Sequence, residues 1–164
     1  MTVRADTDRD GATLAAQVEA FMDAMRTLQR TMSRMPAVVE ARFGLAPHRL
    51  RAMAAIEDGA SRVQDVASLT WSSVSAASRT IDALVQDGLV DRRPDPDDRR
   101  ATLLTLTAEG QQRLGAVHAW RDGWMTEAVE GLGPERAASL VEGLEEFGVQ
   151  IEQLVEAEHQ AFER

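Results

Sequence analysis

At 164 residues the chain has room for one cored domain, or for a small domain plus helices that bury their apolar faces against a partner chain. It contains no cysteine, which excludes disulfide scaffolds, thiolate metal sites and thiol redox chemistry. The formal net charge of −9 argues against a nucleic-acid partner, because sequence-independent affinity comes from cations that displace phosphate counterions, but residues 1–43 are neutral overall, 44–110 carry −2 and 111–164 carry −7.

Residues 1–12 are polar and charged, unlike a signal peptide, and are expected to be disordered. With no run of about 18 apolar residues to span a bilayer, the expectation is a soluble, cytoplasmic protein with no membrane partner. All 18 basic side chains are Arg, a bias that suits a GC-rich bacterial genome. From Leu14, apolar residues recur at Val18, Phe21, Met22, Met25, Leu28, Met32 and Met35, which predicts a helix over 13–35 that stops before Pro36. A short link through Phe43 and Gly44 follows. Pro47 then opens a helix carrying Leu50, Met53, Ala54 and Ile56, which Asp58-Gly59 ends. Ser61 and Gln64 have capping-box spacing and start a short helix through Val63, Val66, Ala67 and Leu69.

A further helix starts at Ser72 or Ser73, with Val74, Ala77, Ile81, Leu84 and Val85 on its inner side and Ser75, Ser78, Arg79 and Asp82 on the other, and it ends at Gly88. Residues 89–92 and 101–106 read as two strands joined by the turn-rich Pro94-Asp95-Pro96-Asp97. Thr107 caps a helix through Leu114, Val117, Trp120 and Trp124 to about Leu132, and Gly133-Pro134-Glu135 opens the last one. There Leu140, Leu144, Phe147, Ile151 and Leu154 step in heptad fashion. That stripe either covers the domain's own core or forms a dimer seam, and its length and acidic opposite face favour the seam.

The fold class is therefore mainly α with a small β-hairpin wing: a winged helix-turn-helix domain over 44–110, preceded by an N-terminal dimerisation helix and link (13–43) and followed by C-terminal dimerisation helices (111–164). A recognition helix of this kind fits the major groove of duplex DNA, about 12 Å wide. Its outward residues Ser73, Ser75, Ala76, Ser78 and Arg79 occupy the first two turns, where small side chains allow close approach and Arg79 reaches guanine O6 and N7. Arg92, Arg93, Arg99 and Arg100 flank Asp95, Asp97 and Asp98 at the hairpin. The bland reading is a solvated loop of ion pairs; the functional one is a wing with Arg99 inserted into the minor groove, Asp98 orienting it, and Arg100 at a phosphate or packed at the loop base.

Ala76-Ala77-x-Arg79, Leu84-Val85-x-x-Gly88-Leu89-Val90, Asp98-Arg99-Arg100 and Thr107-x-x-Gly110 together resemble the MarR family of bacterial regulators, most specifically over 88–110. The resemblance implies a homodimer whose terminal helices interlock and present two winged domains to a pseudo-palindromic operator. It also implies, for many members, release from DNA by a small aromatic molecule. It places an effector pocket between the dimerisation helices and the winged domain, here gathering Met22, Met25, His48, Arg51, His118, Trp120 and Trp124. The plainer reading of Trp120 and Trp124 is core or dimer packing. Four positions depart from the family pattern: Ala46 where a capping Thr is common, Val74 where Pro is common, and Thr70-Trp71 in the interhelical turn, where an apolar residue followed by a small one is usual. Trp71 is either a buried anchor of that turn or an exposed contact to DNA or a partner.

His48, His118 and His159 are scattered, and no HExxH motif, clustered carboxylates at metal spacing, nucleophile elbow or phosphate-binding glycine loop is present. No metal, no cofactor and no enzymatic activity are expected. The function expected is that of a ligand-responsive transcriptional regulator, more readily a repressor because occupancy alone blocks a promoter. The alternative is a winged-helix protein-interaction module that binds no DNA.

Overall fold

The computed structural model describes residues 3–94 and 102–162, with side chains over 13–94 and 102–161. In chain order the elements are α1 (Val3–Met32), α2 (Met35–Phe43), α3 (Pro47–Glu57), α4 (Val63–Leu69), α5 (Val74–Gln86), β1 (Val90–Pro94), β2 (Thr102–Leu106), α6 (Ala108–Glu130) and α7 (Pro134–Phe162). Helix α1 begins at Val3, inside the stretch expected to be disordered, and ends earlier than Met35. The cause is Pro36, which lacks an N–H and whose ring collides with the carbonyl four residues back, that of Met32. The chain closes with Ser33 N–H on Gln29 O at 2.9 Å and restarts. Proline then serves as an opener at the start of α2, where no donor is needed. The expected link is thus largely a helix, which buries Val39 and ends at Gly44.

Helix α3 starts without a side-chain cap, as Ala46 implies. The cap of α4 lies one residue beyond the Ser61/Gln64 expectation: the Asp65 carboxylate accepts from the Arg62 N–H at 2.9 Å. Ser61 has a different task. Its carbonyl accepts the Leu104 N–H at 2.8 Å, fastening β2 to the α3–α4 connection. The hairpin is antiparallel, with Val90 opposite Leu106 and Pro94 opposite Thr102. Leu45, Met53, Val66, Ile81, Leu84, Leu89, Val90 and Leu114 are fully buried and form the core beneath α3, α4, α5 and the hairpin. Burying each such side chain contributes about 1.5–3 kcal/mol before entropy is counted.

The close of the winged part rests on one threonine and one glycine. Thr107 Oγ1 donates to Gly88 O at 2.7 Å and accepts the Gly110 N–H at 3.0 Å. Meanwhile the Thr107 N–H donates to Leu89 O at 3.1 Å. This brings α6 so near β1 that a Cβ on Gly110 would lie 2.1 Å from Leu89 O.

Two compact units divide the chain, 1–114 and 115–164, with α6 belonging to both. In the first, the α1 residues Leu14, Val18 and Phe21 are 61%, 53% and 38% exposed. In the second, the α7 stripe of Leu140, Leu144, Phe147, Ile151 and Leu154 is 42–63% exposed. Among the described residues no helix is long and apolar enough to cross a membrane.

Candidate nucleic-acid interface

The recognition helix α5 is assembled from its cap outward. Ser73 adopts an extended conformation at the N-cap, and its Oγ accepts the Ala76 N–H at 3.2 Å. Ser75 Oγ lies 3.1 Å from Ser73 Oγ. Ala77, Ile81 and Leu84 are buried on one face. Ser73, Ser75 and Arg79 are exposed, with Ala76 and Ser78 half-buried between them. Only Val74 leaves the expected inner face: it is 52% exposed, because the first residue of α5 projects beyond the edge of the core. The helix therefore presents hydroxyls, small side chains and one guanidinium over its first two turns. Those turns also carry the unsatisfied N–H groups and positive dipole end that suit anions.

An ion pair also links the hairpin to this helix. Arg92 Nη2 lies 2.7 Å from Asp82 Oδ1 on α5, and Arg93 Nη2 lies 3.5 Å from Asp91 Oδ2. Arg92 is thus engaged with the recognition helix, whereas the expectation was an arginine directed at DNA. The other wing residues expected to act, Asp98, Arg99 and Arg100, lie outside the described residues.

A cleft between α3 and α5 was not foreseen. His48 and Arg51 from α3, Thr70 and Ser72 from the turn, and Arg79 and Thr80 from α5 are among its lining, which includes no carboxylate. The family resemblance implies an effector pocket that includes His48 and Arg51. Their i, i+3 spacing was the available sign that they share a face of α3, but that they meet Arg79 is a fact of packing. Of the other residues named for the pocket, Met22 and Met25 are exposed on α1 and His118, Trp120 and Trp124 are half-buried on α6. None of these lines the cleft. No group of three or more His, Asp or Glu is placed to hold a metal ion among the described residues.

The turn between α4 and α5 carries an unusual residue. Trp71 has φ +53°, the only positive φ outside glycine among the described residues, and its side chain is 97% exposed. The buried-anchor reading is thereby excluded. An L-residue in the left-handed region costs roughly 1–2 kcal/mol, and full exposure forgoes the burial of a large aromatic surface.

Residues 43–101 match the sequence profile of the MarR family. Over 72 residues, 44% of this chain, it is 31% identical to the HTH-type transcriptional regulator BilQ of Clostridium symbiosum (strain WAL-14163). The winged segment relates the chain to the MarR family. The aligned part spans about half the length of the curated relatives it matches, and the matched profile runs from the end of α2 to the residue before β2. The likeness of fold to solved structures extends further along the chain. RV1404 from Mycobacterium tuberculosis superposes with a TM-score of 0.67 at 26% identity, over 79% of this chain and 90% of that one. A mutant of S. aureus MepR bound to an oligodeoxyribonucleotide superposes with a TM-score of 0.62 at 16% identity, over 80% and 97%. The elements shared with these structures therefore include helices outside the matched profile.

Proposed function

We propose that the protein is a homodimeric, sequence-specific DNA-binding repressor that reads a pseudo-palindromic operator with α5. The observation that carries this is the outward face of α5: a capped helix start with Ser73, Ser75, Ala76 and Ser78 in its first two turns and Arg79 exposed beside a carboxylate-free cleft. Arg79 supplies base discrimination, the hydroxyls and helix N–H groups hold phosphates, and the hairpin lies beside the helix, with Arg92 paired to Asp82. Arg51 brings a second guanidinium to the cleft, within a segment whose net charge is −2. The relation to a MepR variant bound to an oligodeoxyribonucleotide supports the same reading.

Dimerisation is inferred from the apolar stripes on α1 and α7. A 29-residue helix is about 44 Å long, and one whose heptad stripe stays exposed along its length requires a partner helix. Release by a small aromatic or amphipathic molecule is the regulatory part of the proposal, with Trp120 and Trp124 as its optical reporters. Titration with aromatic acids is expected to change both Trp emission and DNA affinity; no change in either removes the effector.

The deciding experiment is a gel shift of the full chain on duplex from the upstream region of its own gene. Retardation competed poorly by unrelated duplex is the expected result. If no duplex is bound even at low salt, the winged helix is a protein-interaction module instead.

A further inference from the structure

Three helices of the winged part end in the same closure. After α3 the Ala60 N–H donates to Ala55 O at 2.8 Å, after α5 the Leu89 N–H donates to Leu84 O at 2.9 Å, and after α4 the Ser72 N–H donates to Ala67 O at 2.9 Å. In each the preceding residue bonds back three positions and has positive φ. This is the six-to-one closure in which glycine is the usual left-handed residue. Gly59 and Gly88 follow that preference; Trp71 does not. The residue most costly to place there is the one that stands 97% exposed, two positions ahead of the N-cap of α5.

Its surroundings name a partner. Trp71 shares a shallow depression with Ala67, Ser68, Leu69 and Ser72. Ser72 also lines the cleft of His48, Arg51 and Arg79, so the indole adjoins the cationic, hydroxyl-rich surface assigned above to DNA. Thr70 Oγ1 lies 2.9 Å from Ser72 Oγ, and Ser73 caps the helix. Every other side chain of residues 70–73 is therefore small and polar. When the first two turns of α5 occupy the major groove, a residue two positions ahead of the N-cap lies against the groove wall, which is the sugar-phosphate strand. An indole suits that strand twice over, with an apolar face for deoxyribose and one N–H for a phosphate oxygen.

We propose that Trp71 is a DNA-backbone contact: its indole packs against the deoxyribose-phosphate strand flanking the groove read by α5, and Nε1–H donates to a phosphate oxygen. The inference rests on the DNA-binding reading. It adds a contact that sets affinity without setting sequence preference.

Trp71→Gly is the decisive variant because glycine relieves the left-handed backbone, so its unfolding midpoint is expected to be equal to or above that of the parent. Its affinity for operator duplex and for unrelated duplex should fall together, by about tenfold or more, since phosphate contacts weaken binding uniformly across sequences. A second measurement uses Trp120→Phe/Trp124→Phe protein, in which Trp71 is the single indole: added duplex should shield its emission from acrylamide. Parent-like affinity of Trp71→Gly, or an indole as quenchable with duplex as without, overturns the proposal while leaving the DNA-binding reading intact. A loss confined to operator duplex also overturns it, since that would make Trp71 a base reader. Failure of the parent protein itself to bind any duplex overturns both.

Discussion

Gly110 shows how a single residue type is dictated by its neighbour. Its Cα faces the Leu89 carbonyl so closely that a methyl group would sit 2.1 Å from the oxygen, and that oxygen belongs to backbone already held by the Thr107 N–H. Gly110→Ala must therefore push α6 away from the start of the hairpin. Overpacking of this kind costs about 1–3 kcal/mol, and a backbone obstacle places it at the upper end; urea denaturation should show a lowered midpoint with an unchanged slope. Arg79 stands at the opposite extreme. It is exposed and holds no core together, so Arg79→Ala should leave far-UV circular dichroism and unfolding unaltered. Operator binding should weaken by about 1–3 kcal/mol with relaxed preference at one base pair of each half-site, as read by competition with singly substituted duplexes.

Among elements, the pairing of hairpin with recognition helix is the informative one. The Arg92–Asp82 ion pair joins β1 to α5 with both side chains partly in solvent. Exposed pairs of this kind are worth only about 0–1 kcal/mol, so stability should barely register Asp82→Asn. DNA binding should register it. The variant removes a negative charge from the groove-facing helix and frees Arg92 to meet a phosphate, so affinity for unrelated duplex at low salt should rise about two- to tenfold. An unchanged affinity would show that Asp82 lies too far from the DNA to repel it. The boundary between α1 and α2 follows from local chemistry that reads two ways. Pro36 both stops one helix and begins the next, and Val39 is the only buried side chain of α2, too little apolar periodicity to announce a helix. The α4 cap slipped by one residue for a related reason, since Ser61 and Asp65 are both competent groups. What removed Ser61 from the role was the engagement of its backbone carbonyl by Leu104 of β2, a partner 43 positions along the chain.

At the scale of the molecule, affinity and assembly are linked. The winged segment carries −2 and the C-terminal third −7, so one copy should bind duplex weakly and two symmetric copies should be needed. If about eight phosphates are neutralised per dimer, log affinity should fall against log salt with a slope of about −7. Assembly itself is tested on α7. Leu144→Glu/Ile151→Glu places two charges in the exposed heptad stripe, and sedimentation is expected to report a monomer at micromolar concentration where the parent is a dimer. Specific operator binding should fall with it, since two half-sites about one helical turn apart need two linked domains. A variant that stays dimeric would move the seam elsewhere.

The sequence by itself determined the elements that local chemistry controls: the Ser73 cap, the Gly88 stop, the two strands within a residue or two of their ends, the Thr107 cap and the heptad stripe of α7. It also determined the outward row of α5, because a 3.6-residue period separates inner from outer faces without reference to the rest of the chain. Only the tertiary structure decided that His48, Arg51 and Arg79 line one cleft, that Arg92 turns to Asp82, and that Trp71 points into solvent. The first two depend on which helices and strands pack together, information spread over separations that periodicity does not encode. The third depends on the sign of one φ angle, set by the closure of α4 onto Ala67 O, and with φ positive the largest side chain in the turn is directed outward rather than into the core.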